Sequence, residues 1–262
     1  MAIGELAELL GDSGPLGSDA ELSDEEELAL LEAERLMELG NIESDQGNYE
    51  QALRCFADAL ALFQKHGNRI GEGRVLGRLG IVFQEQLQFE RAIERYTQAI
   101  VIHREVGDKC HEAVDLGQLG NVYRIQGQHE RAIELYTQAV DIHRELGDRR
   151  HEGIHIGNLG GVFHVQGQHE RANELYSQAV DILREVGDRR NEGIHIGNLG
   201  LVSQAMGQYE RATGAYLQAI EIHQEVGNRH HEGNALGNLG DTLLKLGRVT
   251  EPEARFRLAI PT

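Results

Sequence analysis

The residues that most suggest chemistry are the histidines and glutamate of H-E-G-I-H, at 151–155. Two histidines one helical turn apart, the first followed by a glutamate, form the zinc-binding pattern of a class of metalloproteases. The chain returns to this position every forty residues, where it reads G-E-G-R-V, H-E-A-V-D, N-E-G-I-H and H-E-G-N-A. A catalytic zinc site is expected once, with a third ligand. We predict no zinc catalysis, and ordinary metal affinity of His151 and His155 on an exposed helix stays an open alternative.

No other catalytic pattern recurs in the chain. The segments G-N-L-G and G-E-G-R-V-L-G resemble phosphate-binding loops, but they lie inside predicted helices and do not follow a strand. Three further histidines, His103, His143 and His223, share a position with Phe63 and Leu183, so we predict that they are packed, with satisfied ring nitrogens. We predict a chain that is not an enzyme and that uses no cofactor and no metal.

Composition and charge exclude several classes of function. The 262 residues carry a formal net charge of −18, and residues 1–34 hold eleven acidic residues and no basic one. Binding to a phosphate backbone needs clustered lysine and arginine, so nucleic acid is not an expected partner. No apolar run approaches the roughly 18 residues of a membrane span, and the N-terminus lacks a secretory signal. Cys55 and Cys110 lie in unrelated phases of the repeat, so neither a disulfide framework nor a metal knuckle is indicated. A cytoplasmic location is the expectation.

The elements that position these residues recur with a period of forty. Leucine–glycine pairs end at Gly40, Gly80, Gly120, Gly160, Gly200 and Gly240, and an aromatic column runs Phe56, Tyr96, Tyr136, Tyr176, Tyr216, Phe256. A fixed period of this length is typical of a solenoid array. In the unit that begins at Asp108, a first helix is predicted to about Gln126 and a second from about His129, each ended by a glycine. Leu87 stands where the other units have the first of these glycines, so we expect that turn to differ.

The predicted domains are an acidic flexible tail and a six-unit array. The tail spans 1–22, where Gly, Ser and Pro are frequent, and its segment Ile3–Leu10 could dock back onto the array. Ser23 and Glu26 have the spacing of a capping box that starts the first helix. The units are approximately 23–67, 68–107, 108–147, 148–187, 188–227 and 228–262.

The repeated columns carry a family resemblance. L-G-x-x-Y/F, followed at fixed offsets by Ala, Tyr/Phe and Ala, resembles the tetratricopeptide repeat, and the forty-residue unit resembles the LGN/Pins scaffolds and MalT-like bacterial arrays. The segment Asn68–Gly80, N-R-I-G-E-G-R-V-L-G-R-L-G, is similar to the LGN type. The resemblance implies an all-α fold, a right-handed α-solenoid of six helical hairpins that acts as a protein–protein interaction scaffold. A ligand-responsive regulator of the MalT-like kind is the alternative function.

The resemblance also implies a peptide-binding groove lined by the first helix of each hairpin. Asn and Arg at such positions hold peptide backbone and acidic side chains in the family. The candidate groove residues here are Arg74, Arg78, Gln118, Asn121, Arg124, Asn158, His164, Asn198, Gln204 and Asn238. The basic members belong to the second and third units, so an acidic segment is the expected partner.

Five glycines at the middle of the predicted first helices need a physical reason. They are Gly77, Gly117, Gly157, Gly197 and Gly237, and glycine inside a helix costs about 0.5–1 kcal/mol relative to alanine. One explanation is close helix packing, and another is an open floor that lets an extended peptide approach. Both can hold at once.

Overall fold

The computed structural model describes residues 23–247, and within them the chain forms eleven α-helices and no strand. The helices are α1 (Asp24–Asp45), α2 (Tyr49–Lys65), α3 (Arg69–Glu85), α4 (Phe89–Val106), α5 (Lys109–Ile125), α6 (His129–Leu146), α7 (Arg149–Val165), α8 (His169–Glu185), α9 (Arg189–Ala205), α10 (Tyr209–Glu225) and α11 (Arg229–Lys245). None of these helices is long and apolar enough to cross a membrane.

The helices pack as successive hairpins, each odd-numbered helix against the even-numbered one that follows it. We call the odd-numbered helices the first helices and the even-numbered ones the second helices. First helices of neighbouring units also touch one another (α1 with α3, α3 with α5, α7 with α9, α9 with α11), whereas no second helices do so to a comparable extent between residues 23 and 247. The stack therefore curves with the first helices on its inner side, and the predicted all-α solenoid is confirmed.

Two sequence predictions lie outside the described residues. One concerns the tail 1–22 and its docking segment, and the other concerns the second helix of the sixth unit. The described array consists of five complete hairpins and α11, the first helix of the sixth.

The helix ends follow the predicted caps. Ser23 and Glu26 form the capping box that starts α1. At α3, α5, α7, α9 and α11 the N-cap is an Asn or Asp whose side chain accepts a hydrogen bond from a backbone N–H in the first turn. Ten glycines with φ between 66° and 77° follow the helix ends. Only glycine takes this left-handed conformation without strain. The glycines recur at fixed positions, so they end each helix after a fixed number of residues and thereby determine the length of each hairpin.

The turn at Leu87 is the same as the others, contrary to the sequence expectation. Leu87 has φ 59°, and its N–H donates to the Gln84 carbonyl just as the Gly127 N–H donates to the carbonyl of Arg124. Packing of α3 against α4 therefore imposes the glycine conformation on a leucine whose side chain is 72% exposed.

We expect Leu87→Gly to raise the free energy of unfolding by about 1 kcal/mol. Glycine takes the left-handed conformation without the steric strain of a β-carbon, and the leucine side chain buries little surface that would be lost. Urea denaturation followed by circular dichroism measures the change. Gly127→Leu, the reverse exchange one unit later, should lower the free energy of unfolding by a similar amount. Equal stabilities for Leu87→Gly and the wild type would show that this turn stores no strain.

Candidate functional site

All ten residues predicted for the groove lie on the first helices α3, α5, α7, α9 and α11. Arg78 and Arg124 are exposed, the other eight are partly buried, and none is buried. We call the accessible side of these helices the inner face. The structure thus brings the predicted residues to one continuous side of the array.

One member of this set recurs at the same position of every first helix from α3 to α11. This amide column consists of four amides, Gln118, Asn158, Asn198 and Asn238, and the donor-only guanidinium of Arg78. The side chains of Arg78, Asn158, Asn198 and Asn238 make no hydrogen bond within residues 23–247, and Gln118 accepts one from Asn121 Nδ2 at 3.0 Å. Each amide carries both donors and acceptors, so the column can pair with the N–H and C=O groups of an extended chain.

Two predicted residues are tied to buried tyrosines. Tyr136 Oη donates to Asn121 Oδ1 at 2.7 Å, and Tyr216 Oη donates to Gln204 Oε1 at 3.0 Å. Burial raises the pKa of the Tyr136 hydroxyl, and neighbouring Arg124 partly opposes this. Asn121 and Gln204 therefore anchor the inner face to the core and have less freedom to bind a ligand than the amide column has.

The positive charge of the inner face rests mainly on two arginines. Arg74 Nη1 lies 3.0 Å from Glu34 Oε1 of the preceding unit, so its charge is already paired. The pKa of His164 is lowered by burial and by the neighbouring His169, which keeps His164 neutral at neutral pH. Arg78 and Arg124 are exposed and form no ion pair in the described part of the chain.

Three of the five mid-helix glycines make room for a side chain of the next first helix. A β-carbon on Gly117 would lie 2.1 Å from the His155 ring, and one on Gly157 would lie 2.1 Å from the His195 ring. On Gly77 it would lie 2.7 Å from the Asp115 carboxylate. Close packing therefore explains these three glycines.

The other two mid-helix glycines have space around them. Within the described residues, a β-carbon on Gly197 would meet only Ala219, at 3.8 Å, and one on Gly237 would meet nothing within 4 Å. Packing among the described residues does not require glycine at either position. The other explanation, an accessible helix surface that lets an extended peptide approach, therefore applies only to Gly197 and Gly237.

His155 and His195, whose rings lie against Gly117 and Gly157, are neutral core residues. His155 packs against Tyr136 with ring centroids 6.1 Å apart, and His195 packs against Tyr176 at 5.8 Å. Burial lowers the pKa of His155 to about 3 and that of His195 to about 4. Since His155 is buried, His151 and His155 do not form a histidine pair on an exposed face.

His103, His143 and His223 are packed in the core, as predicted. His103 and His143 are nevertheless not satisfied, because neither ring nitrogen of either residue has a hydrogen-bond partner within residues 23–247. Desolvation is the main cause that lowers the pKa of His143 and of His223.

Sequence reasoning missed a second repeated feature, the glutamate of the H-E-G segments. Glu152 is almost fully buried and accepts Arg144 Nε at 2.9 Å and Arg149 Nη1 at 2.5 Å. Glu192 has equivalent partners one unit later. The two arginines come from the end of one hairpin and the start of the next, so each glutamate joins two units.

Comparisons with known proteins agree with this architecture. The family model described as tetratricopeptide repeat matches residues 32–105, 112–185 and 193–261. A search of curated protein sequences finds no match.

Solved structures share the fold at low sequence identity. Aspartyl phosphate phosphatase F from Bacillus subtilis is 16% identical with a TM-score of 0.72; the match covers 85% of this chain but 62% of the phosphatase chain. The Rap conjugation gene regulator of the plasmid pLS20, in complex with a peptide, is 17% identical with a TM-score of 0.64, over 90% of this chain and 69% of the regulator.

A third structure is a signal transduction ATPase from Pyrococcus horikoshii that has a tetratricopeptide repeat sensor. It is 15% identical with a TM-score of 0.72, over 86% of this chain and 37% of the ATPase chain. At such identities these likenesses show the fold alone. The repeat period, the stacked hairpins and the family match together establish that the chain belongs to the tetratricopeptide repeat family.

Proposed function

We propose that this protein is a non-enzymatic interaction scaffold whose inner face binds an extended peptide segment of a partner. The observation that carries the proposal is the amide column, which places a polar side chain at the same position of successive first helices and leaves all of them except Gln118 without a hydrogen bond within residues 23–247. An extended peptide presents backbone donors and acceptors at regular intervals, so a ladder of amides can bind it with little dependence on sequence. The pLS20 regulator, which shares the fold, is in complex with a peptide, and this supports a peptide as the kind of ligand.

The preferred ligand is an acidic segment near the second and third units. The protein has a net charge of −18, and many of its arginines already pair with its own carboxylates. Arg78 and Arg124 are exceptions that lie on the inner face. An acidic side chain placed there gains an unpaired cation, whereas it is repelled from most of the remaining surface.

The alternative is a sensor whose array changes curvature when a ligand binds, as in MalT-like regulators. The tetratricopeptide repeat sensor of the Pyrococcus ATPase supports this alternative. A small molecule that raises the melting temperature and changes the scattering profile of the chain would favour the sensor. A peptide that binds without such a change would favour the scaffold.

Fluorescence anisotropy with acidic, neutral and basic peptides of equal length tests the proposal. We expect the acidic peptides to bind tightest, and Arg78→Glu to weaken them by about tenfold, or 1.4 kcal/mol. Arg78 is exposed and makes no hydrogen bond or ion pair within residues 23–247, but its charge acts on the buried Asp115 carboxylate, so circular dichroism checks that the variant is folded.

Lys65→Glu on α2 is the matched control, since it makes the same charge change on a second helix at a residue that has no side-chain partner in the described part of the chain. It should leave the affinity unchanged. Equal affinities for Arg78→Glu and Lys65→Glu would overturn the acidic preference, and unchanged binding in Asn158→Ala/Asn198→Ala would overturn the amide column. If the acidic residues 1–22 occupy the inner face, deleting them should raise the affinity.

A further inference from the structure

The junction between α6 and α7 brings together three groups of the kinds that bind transition metals. His143 lies in the last turn of α6, Asp148 is the N-cap of α7, and His151 lies three residues later. His143 Nδ1 is 3.4 Å from Asp148 Oδ2, and His151 Nδ1 is 2.7 Å from the same oxygen. One ligand atom of each residue lies within 4.8 Å of those of the other two, and no other group of three in the described chain meets this distance.

The state of His143 is the independent observation that calls for a ligand. Its side chain is fully buried, and neither ring nitrogen has a hydrogen-bond partner within residues 23–247. The 3.4 Å contact of Nδ1 with Asp148 forms no hydrogen bond, and Nε2 has no partner in the described chain, so the ring is poorly compensated for its lost hydration. Asp148 and His151 keep 30% and 43% of their side chains exposed, and because His143 itself is fully buried, an ion would enter by displacing these two side chains.

The distances suit a small ion. Zinc binds imidazole nitrogen at about 2.0–2.1 Å and carboxylate oxygen at about 2.0–2.2 Å, which puts tetrahedral ligand atoms about 3.3 Å apart. His143 and Asp148 already have this separation. His151 must move away from Asp148 by about 0.6 Å and turn out of its stack with His143, whose ring centroid is 5.1 Å away, and its exposed side chain has the room to do so.

We propose that His143, Asp148 and His151 bind one divalent transition-metal ion of the zinc class, with water completing the coordination. Two imidazoles and one carboxylate form a ligand set that binds such ions more tightly than it binds the harder Mg²⁺ and Ca²⁺. The site lies at a junction between units and is independent of the peptide-binding proposal. Its ion would join the end of the third unit to the start of the fourth.

Helix capping explains only part of this arrangement. Asp148 Oδ1 accepts the backbone N–H of His151 at 3.1 Å, as an N-cap should. At the next junction Asp188 caps α9 equally well with Asn191 beside it, and Leu183 replaces the buried histidine. The cap therefore needs neither histidine, and the fold tolerates leucine at the buried position.

Two other junctions supply natural comparisons. His103, Asp108 and His111 have the same residue types, but His103 Nδ1 lies 3.7 Å from Asp108 Oδ2, farther than in the proposed site. His223 and His231 flank Asn228, an amide that cannot replace the charged ligand. We expect both junctions to bind zinc more weakly.

Isothermal titration of the untagged full-length chain with Zn²⁺ tests the proposal. We expect one tight site per chain, weakened at least about tenfold in His151→Ala, Asp148→Asn and His143→Leu. Each replacement spares the fold: His151 is partly exposed, asparagine caps α11, and leucine occupies the buried position at Leu183. Co²⁺ should give a visible absorption band in the wild type that His151→Ala removes.

His111→Ala and His231→Ala are the controls, because each removes the equivalent histidine of another junction. Both should leave the tight site unchanged. The proposal is overturned if the wild type has no stoichiometric site, if His151→Ala binds Zn²⁺ as the wild type does, or if either control abolishes binding. Peptide affinity is measured with and without Zn²⁺, so that a failure of the metal-site proposal can be distinguished from a failure of the peptide-binding proposal.

Discussion

Gly157→Ala should lower the free energy of unfolding by about 3 kcal/mol, although alanine is the better helix former. The new β-carbon would lie 2.1 Å from Cε1 of His195 and 2.3 Å from its Nε2. The His195 ring is buried and packs against Tyr176, so it cannot swing into solvent. α7 and α9 must separate or the ring must leave its rotamer, and each costs energy in a packed interior. Urea denaturation measures the loss.

Gly237→Ala is the matched control, because Gly237 lies at the equivalent position of α11, where a β-carbon would meet no atom of residues 23–247 within 4 Å. It should stabilise the protein by about 0.5–1 kcal/mol, the ordinary helix preference of alanine over glycine. Changes of the same sign in both variants would contradict the packing explanation.

A double-mutant cycle isolates the contact between Gly157 and His195. His195→Ala removes the ring, and Ala235 shows that alanine is tolerated at the equivalent position of α11. In this background Gly157→Ala should cease to be destabilising, because the space is free. A penalty that persists in the double variant would mean that the cost arises elsewhere in α7.

Arg184→Ala/Arg189→Ala should lower the free energy of unfolding by about 3 kcal/mol, because it leaves a buried carboxylate without a partner. Glu192 is 1% exposed and accepts Arg184 Nε at 2.8 Å and Arg189 Nη1 at 2.6 Å. Both arginines are partly exposed, so this loss is at the lower end of the range for broken buried pairs. Calorimetric or urea unfolding would measure it.

Adding Glu192→Gln to this variant should recover part of the stability, since a neutral amide costs less to bury than a carboxylate. Arg190→Ala tests whether removing any nearby arginine has the same effect; Arg190 is exposed, so its loss should change the stability by less than about 0.5 kcal/mol. If the double arginine variant has the same free energy of unfolding as Arg190→Ala, the ion pairs of Glu192 do not stabilise the junction between the two units.

The hairpins and their boundaries could be predicted because they depend on local chemistry that recurs with the period. A glycine in the left-handed conformation ends most helices, and an Asp or Asn caps each first helix from α3 onwards. Leu87 shows the limit of this reasoning. Its residue type predicts a different turn, but the packing of α3 on α4 keeps the turn unchanged.

The close contacts between a glycine of one first helix and a histidine of the next could not be predicted from the repeat alone. Gly157 and His195 are 38 residues apart, and their contact depends on the angle between two stacked hairpins. The sequence gives no hint of it, because glycine stands at 197, where the partner position holds Ala235, just as it stands at 117 and 157, where the partner positions hold histidine.

The buried glutamates were hidden by a misleading likeness. H-E-G-I-H resembles a zinc protease motif, so its variation between units reads as evidence against any role for its members. The glutamate itself is invariant at 72, 112, 152, 192 and 232. An arginine eight residues before Glu112, Glu152 and Glu192 is the signal that could have identified its partner.

The accessibility of the candidate groove follows from the period, because positions that vary between units face solvent. Which residues are uncommitted does not follow from it. Arg74 pairs with Glu34 of the preceding unit, and Asn121 accepts a hydrogen bond from buried Tyr136, both through contacts between helices. Among the ten candidates, the side chains of Arg78, Asn158, Asn198 and Asn238 make no hydrogen bond within residues 23–247.

Photo-crosslinking tests most directly whether the inner face is the binding surface. The tightest acidic peptide, carrying a photoreactive group at successive positions, is irradiated with the full-length chain, and the linked residues are identified by mass spectrometry. The account predicts adducts on α3, α5, α7 and α9, in an order that follows the peptide. Adducts confined to the second helices α4, α6, α8 and α10 would contradict it.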